Sequence, residues 1–290
     1  MKKTLLLSLL VAIVLSGCDT LNNVAGTDIA NVISTNITQQ VTSRVGSLDA
    51  DAVASAANSL ASAITISNNE IVALCQEHME EMDTTNIILP DDDPYSIRLA
   101  QVMSRFKNKG KLNVKLNYAV YDDENTINAF ASGDGSVRVY SGLMDLMDDD
   151  ELFAIIGHEL GHLANHDVRD AYRAAYLVVA ARYSIASFGE RASAISMGFL
   201  GDLSDELANN AYSRHQELKA DEAAYKYCVN NNVDPYAMYH ALEKLDAASG
   251  NNGGKASGFA NMFSSHPDNV KRMSNIKKLA EKDGHFLNKN

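Results

Sequence analysis

The chain has 290 residues, with 25 Lys and Arg against 37 Asp and Glu, a formal net charge of −12, and 46% hydrophobic residues. That balance permits a sizeable core in one large domain or two small ones. The negative charge repels phosphate and no basic stripe or RNA-binding motif is present, which argues against nucleic acid as a partner.

Residues 1–17 read as a targeting segment. "MKK" is a basic start, "TLLLSLLVAIVL" is an apolar run too short to span a bilayer comfortably, and Leu15, Ser16 and Gly17 lead into Cys18. The ending resembles a bacterial lipobox. That implies a lipoprotein signal peptide over 1–17, a lipidated Cys18, and a periplasmic protein held to a bacterial cell membrane. Removing 1–17 takes away Lys2 and Lys3 and no acid. The mature chain is then still more acidic, so acyl chains rather than charge must anchor it. Asp19 resembles an inner-membrane retention signal, and inner against outer membrane stays open. Residues 18–66 form the lipidated N-terminus and a spacer, rich in Ala, Ser, Thr and Asn and free of aromatics and proline. Cys75 and Cys228 remain. An oxidising compartment permits one disulfide between them. Neither belongs to a C-x-x-C pair, which disfavours a cysteine-ligated zinc.

The folded domain is expected over 67–290. "SNNE" (Ser67–Glu70) is a capping box that opens a helix, and "PDDDPYSIRLAQVMSRFKNKG" gives a second, opened near Pro94 and closed near Gly110. The period then changes to two. "LNVKLNYAVYDD", "INAFAS" and "GSVRVYSG" predict three short strands, the last two joined by a hairpin at "SGDG". After Leu143 the pattern is helical. "MDDDELFAIIGHELGHLANH" carries four acids at its start, where the helix dipole favours them. "AAYLVVAARYSIASFGERASAISMGFL" is apolar, but Arg182, Glu190 and Arg191 interrupt it, so packed helices are expected rather than a span. "DELANNAYSRHQELKADEAAYKYCVNN" predicts one long helix, and "DPYAMYHALEKLDAAS" another. A glycine-rich loop "GNNGGKASGF" and a closing helix "HPDNVKRMSNIKKLAEK" follow.

The segment "GHELGH" carries the chemistry. On a helix His158 and His162 share a face and can grip one Zn²⁺, while Glu159 sits beside the metal, as a general base for metal-held water must. Gly157 and Gly161 cost a soluble helix about 1 kcal/mol each, which is reasonable only if something packs close. A catalytic zinc needs a third protein ligand. The extended motif that takes it from the same segment is excluded, because Asn165 and Val168 stand at its glycine and histidine positions. His166 lies too far round the helix to share the metal and reads as a packing or supporting residue. Glutamates from later helices are the alternative: Glu190, Glu206, Glu217 or Glu222. Glu217 stands out because Asp221 follows one turn later and can hold the other ring nitrogen of His158.

"HELGH" followed by "SRHQELKADEAA" resembles the M48 peptidases, zinc proteases related to the CAAX-processing enzymes and to periplasmic lipoprotein proteases of Gram-negative bacteria. "INAFASGDGSVRVYSGLMD" and "SSHPDNVKR" match further family segments, and the likeness runs from about Ser67 to Lys278. The resemblance implies an α+β, mainly helical fold, a zincin-like (gluzincin) domain with a small β-sheet packed beside the HExxH helix. It implies one Zn²⁺ per chain bound by His158, His162 and Glu217, with Glu159 as base and then acid. It gives His266 the oxyanion, Asp221 and Arg272 supporting places, and Asn128, Ala129 and Phe130 a sheet edge where an extended peptide adds as a strand. The expected function is a zinc-dependent endopeptidase acting on periplasmic or membrane-associated, including misfolded, polypeptides. The alternative from another class is a chaperone-like lipoprotein with a structural or vestigial metal site, against which the intact Glu159 argues.

Overall fold

The computed structural model describes residues 67–107, 112, 114–186, 207, 212–251, 266 and 268–287. The signal peptide, Cys18, the spacer, Glu190, Glu206 and residues 252–259 of the expected glycine-rich loop lie outside the described residues, while its first two, Gly250 and Asn251, are helical. Contacts divide the chain into two units. Of the first, 1–71 with 171–207, the described part includes the predicted capping box: the Ser67 N–H donates to Glu70 Oε2 at 2.8 Å and the Glu70 N–H to Ser67 Oγ at 3.2 Å. The second, 72–170 with 208–290, holds the sheet and the site.

The elements, in chain order, are α1 (Asn68–Thr85), α2 (Pro94–Ser104), β1 (Asn117–Tyr121), β2 (Ala129–Ala131), β3 (Ser136–Tyr140) and α3 (Ser141–Leu146). They continue with α4 (Asp149–Ala164), α5 (Asp167–Ala186), α6 (Arg214–Asn230), α7 (Ala237–Asn251) and α8 (Asn269–Lys282). This is the mainly helical α+β, zincin-like fold with a small sheet. No helix among the described residues is long and apolar enough to cross a membrane.

The sheet has the order β1-β3-β2. β2 and β3 form the expected antiparallel hairpin, Ala129 opposite Val139 and Ala131 opposite Val137, with Gly135 taking φ +96° in the turn. β1 runs parallel to β3, a pairing that alternation alone does not specify. β2 is therefore an edge strand, and it packs on α4.

α4 is the central element. Leu152, Phe153, Ile155, Ile156 and Leu160 are all fully buried, so the helix is enclosed on every side. Its start is fixed by a capping box in which Asp148 Oδ1 accepts from the Glu151 N–H at 2.9 Å and Glu151 Oε2 accepts from the Asp148 N–H at 2.9 Å. α6 and α7 pack on it, and α8 packs on α6 and α7. The approach of α6 explains the glycines. A Cβ on Gly161 would lie 2.9 Å from Ala223 Cβ and 3.0 Å from Ala220 Cα, and one on Gly157 3.4 Å from Ala224 Cα.

Four expectations are corrected. α2 ends at Ser104, short of Gly110. α6 does not begin near Asp205: Ser213 caps it in a box with Gln216, a start the sequence reading ran through. His166 is not a packing residue. α4 stops at Ala164, and His166 is exposed in a left-handed turn with φ 68°. Finally, Cys75 and Cys228 are free, buried thiols and not a disulfide. Cys75 of α1 lies under the turn at Gly133, whereas Cys228 of α6 belongs to the main core. A shared oxidising compartment says nothing about distance.

Candidate metal centre

Three helices and one loop residue build the site. α4 supplies His158, Glu159 and His162, four-residue spacing placing the two imidazoles on one face. α6 supplies Glu217 in its first turn, where the dipole favours a carboxylate, and Asp221 one turn on. α8 supplies Arg272, and His266 precedes that helix. These seven residues are between 0% and 5% exposed.

His158, His162, Glu217 and His266 each offer a ligand atom, and all four atoms lie within 4.8 Å of one another. The two Nε2 atoms are 3.1 Å apart. Glu217 Oε1 is 3.3 Å from His162 Nε2, and Glu217 Oε2 is 3.6 Å from His158 Nε2. Each histidine has its other nitrogen against a carboxylate: His158 Nδ1 is 2.9 Å from Asp221 Oδ1, and His162 Nδ1 is 2.9 Å from Asp167 Oδ2. A carboxylate can only accept, so each Nδ1 carries the proton. Both Nε2 lone pairs then face each other, with a carboxylate beside them, in a space closed to water. Such a set can hold a cation at its centre. Neutral imidazoles and one carboxylate also fit the donor chemistry of Zn²⁺.

The electrostatics agree. Burial, with the Arg272 guanidinium nearby, pushes His158 well below its ordinary value. Burial also opposes charge on His162, but hydrogen bonds to Asp167 and Glu217 overcome it and raise the group to about 9. A proton on His162 Nε2 and a metal ion would thus compete for the same place between the rings. Burial opposes charge on Glu217 as well, yet His162, His266 and Arg272 hold it well below the carboxylate range, so it is ionised. Arg272 ties the acids together, Nη1 lying 3.1 Å from Glu217 Oε2 and Nη2 donating to Asp221 Oδ1 at 2.8 Å. Burial raises Glu159, which strengthens it as a base. Its Oε1 makes no hydrogen bond.

The sequence placed most of this set. Asp221 holds His158 as expected, and Glu217 rather than Glu222 meets the histidines; Glu222 pairs with Lys226 at 2.6 Å. His266 reaches the same cluster. Its Nδ1 is among the ligand atoms, 3.0 Å from Glu217 Oε1 and 3.3 Å from His158 Nε2, and its Nε2 is 3.6 Å from Glu159 Oε1. Asn128, Ala129 and Phe130 are not in the cluster. Ala129 and Phe130 lie on the edge strand β2 beside α4 and Asn128 directly precedes it; the Asn128 carbonyl accepts from the Tyr140 N–H at 3.0 Å, and Asn128 Oδ1 is buried without a hydrogen bond. Sequence reasoning missed Asp167 and Tyr212, whose ring stacks on His162 with centroids 3.9 Å apart. The only signal was proximity: Asp167 is five residues beyond His162, and Tyr212 directly precedes the α6 cap.

An HExxH helix whose histidines meet a glutamate from a second helix defines a zincin-like metallopeptidase. The profile of peptidase family M48 matches residues 96–280, and the chain belongs to that family and is a metalloendopeptidase. It is 32% identical to the metalloprotease LoiP of Escherichia coli (strain K12), over 82% of this chain and 91% of that protein. To the metalloprotease YcaL of the same strain it is 33% identical, over 74% and 82%. A protease HtpX homolog of Methanopyrus kandleri is 31% identical over 53% of this chain and 56% of its own length.

Proposed function

We propose that this chain is a zinc-dependent endopeptidase of the periplasm, anchored to the membrane through a lipidated Cys18, that cleaves unfolded or misfolded envelope proteins. Its peptidase domain spans 67–290, after a signal peptide over 1–17 and a spacer over 18–66. The observation that carries the reading is the buried convergence of His158, His162 and Glu217, with Glu159 Oε1, which makes no hydrogen bond, beside them.

His158, His162 and Glu217 would hold the metal. A bound Zn²⁺ supplies Lewis acidity, which acidifies water and polarises a scissile carbonyl. Glu159 takes the proton from the attacking water and returns it to the leaving amine, a role its burial-raised basicity suits. Asp221 and Arg272 keep His158 and Glu217 in place. We assign His266 to the developing oxyanion through Nε2, the nitrogen turned toward Glu159. The edge strand β2, with Asn128, Ala129 and Phe130, receives substrate as an added strand. Recognition through backbone hydrogen bonds tolerates many side chains, which suits misfolded substrates.

The test is cleavage of unfolded casein by the purified chain and by Glu159→Gln. Losing a positioned base should lower the rate about 10²–10⁴-fold with the fold retained. Equal cleavage by the two would reject the reading. Labelling with radioactive palmitate that persists in Cys18→Ser would reject the anchor.

A further inference from the structure

We infer that Asp167, Gln216 and Tyr212 form a positioning unit that sets His162 as a metal ligand, gripping the ring through its far nitrogen and its face. This rests on the metal-centre reading above. Each of the two ligand histidines has a carboxylate on its Nδ1, but the carboxylates are held differently. Asp221 is held by the Arg272 guanidinium. Asp167 is held by a neutral amide, Gln216 Nε2 donating to Asp167 Oδ1 at 3.1 Å while Asp167 Oδ2 faces His162 Nδ1 at 2.9 Å.

The orientation of that amide is fixed by chemistry. Gln216 Oε1 accepts from the Ser213 N–H at 2.9 Å in the α6 capping box, so the NH₂ end is the one left to face the carboxylate. One side chain thus joins the start of α6, which carries Glu217, to the residue that orients His162. Tyr212, just before the cap, lies flat on the His162 ring at 3.9 Å and 14°, and its ring is 5.4 Å from that of His266. Rotation of His162 about its side-chain bonds is blocked on the face by Tyr212 and at the edge by Asp167.

The backbone supports the arrangement. Asp167 reaches back to His162 only because the chain leaves α4 in a left-handed turn at His166, with φ 68°. A non-glycine residue takes that conformation at a cost, and such residues cluster where surroundings demand them. The unit predicts that metal retention depends on residues that touch no metal.

The experiment measures zinc affinity of the detergent-solubilised full chain by competition with a chromogenic chelator, with melting temperature recorded for every variant. Asp167→Ala should bind zinc about tenfold to a hundredfold more weakly. Asp167→Asn, which keeps the shape and removes the charge, should lose about tenfold and serves where the alanine variant does not fold. Gln216→Ala should lose several-fold in the wild-type background and nothing further in Asp167→Ala, because it acts through Asp167. Tyr212→Leu should lose about threefold to tenfold, and Tyr212→Phe should recover affinity to within about twofold. Folded Asp167 variants that hold zinc as tightly as wild type, or a Gln216 effect that persists without Asp167, would overturn the inference alone. Unchanged retention in His158→Ala as well would sink the metal-centre reading and the inference with it.

Discussion

His158 and His162 show how little a motif says until its second neighbours are known. Four-residue spacing put both imidazoles on one face of α4, and "ELKAD" put Glu217 and Asp221 on one face of α6. These relations lie inside single helices, so they were legible. Asp167 was not, since its bond to His162 depends on a left-handed turn at His166 that a helical reading runs straight through. Cys75 and Cys228 were misjudged for a related reason: the compartment bears on oxidation, but only the fold sets distance. Their state is checked by titration. Burial pushes each thiol up to about 12, so at pH 8 on the order of 10⁻⁴ of either is thiolate. In a Cys18→Ser chain, Ellman's reagent should find no reactive thiol in the folded protein and two after unfolding. No thiol in the unfolded, unreduced protein would show a disulfide instead.

At the level of elements, the contact between α4 and α6 decides the site, because one helix brings the histidines and the other the glutamate. The sequence showed two glycines on α4, enough to expect a close approach and not enough to rank them. Gly161 lies directly against α6, whereas Gly157 has ordinary contact room. Gly161→Ala gains up to about 1 kcal/mol of helix propensity and loses about 1–3 kcal/mol to overpacking. It should destabilise by up to about 2 kcal/mol and weaken zinc binding, because the helices must part. Gly157→Ala should lie between neutral and about 1 kcal/mol stabilising. Chemical denaturation of the two variants checks the ranking, and the opposite order would remove this account of the helix contact. The true start of α6 escaped the sequence reading, which ran one helix from Asp205 through Ser213 although Asn209 and Asn210 are weak helix formers.

Across the whole molecule, long-range polar ties carry information that no local pattern holds. Arg138, buried on the central strand β3, donates to Asp83 of α1 through Nε at 2.9 Å and Nη2 at 2.7 Å, and the Tyr121 hydroxyl donates to the same carboxylate at 2.6 Å. Burial alone would raise Asp83, but Arg138 and Tyr121 lower it below its ordinary 3.8. A depressed carboxylate adds stability above its unfolded value and loses it as pH falls through the lower folded value. Asp83→Asn should therefore cost stability near pH 7 and progressively less below about pH 4. Thermal melts of both proteins from pH 7 to pH 3 check this, and parallel curves would contradict it. The parallel pairing of β1 with β3 was equally hidden, being a property of topology rather than of either strand.

The account rests on one long-range meeting, Glu217 with the two histidines of α4. Its most direct test is the zinc content of purified wild type and Glu217→Gln by elemental mass spectrometry after dialysis. The account predicts about one zinc per wild-type chain and less than about a tenth of that in the folded variant. Equal zinc in the two would show that the third ligand lies elsewhere.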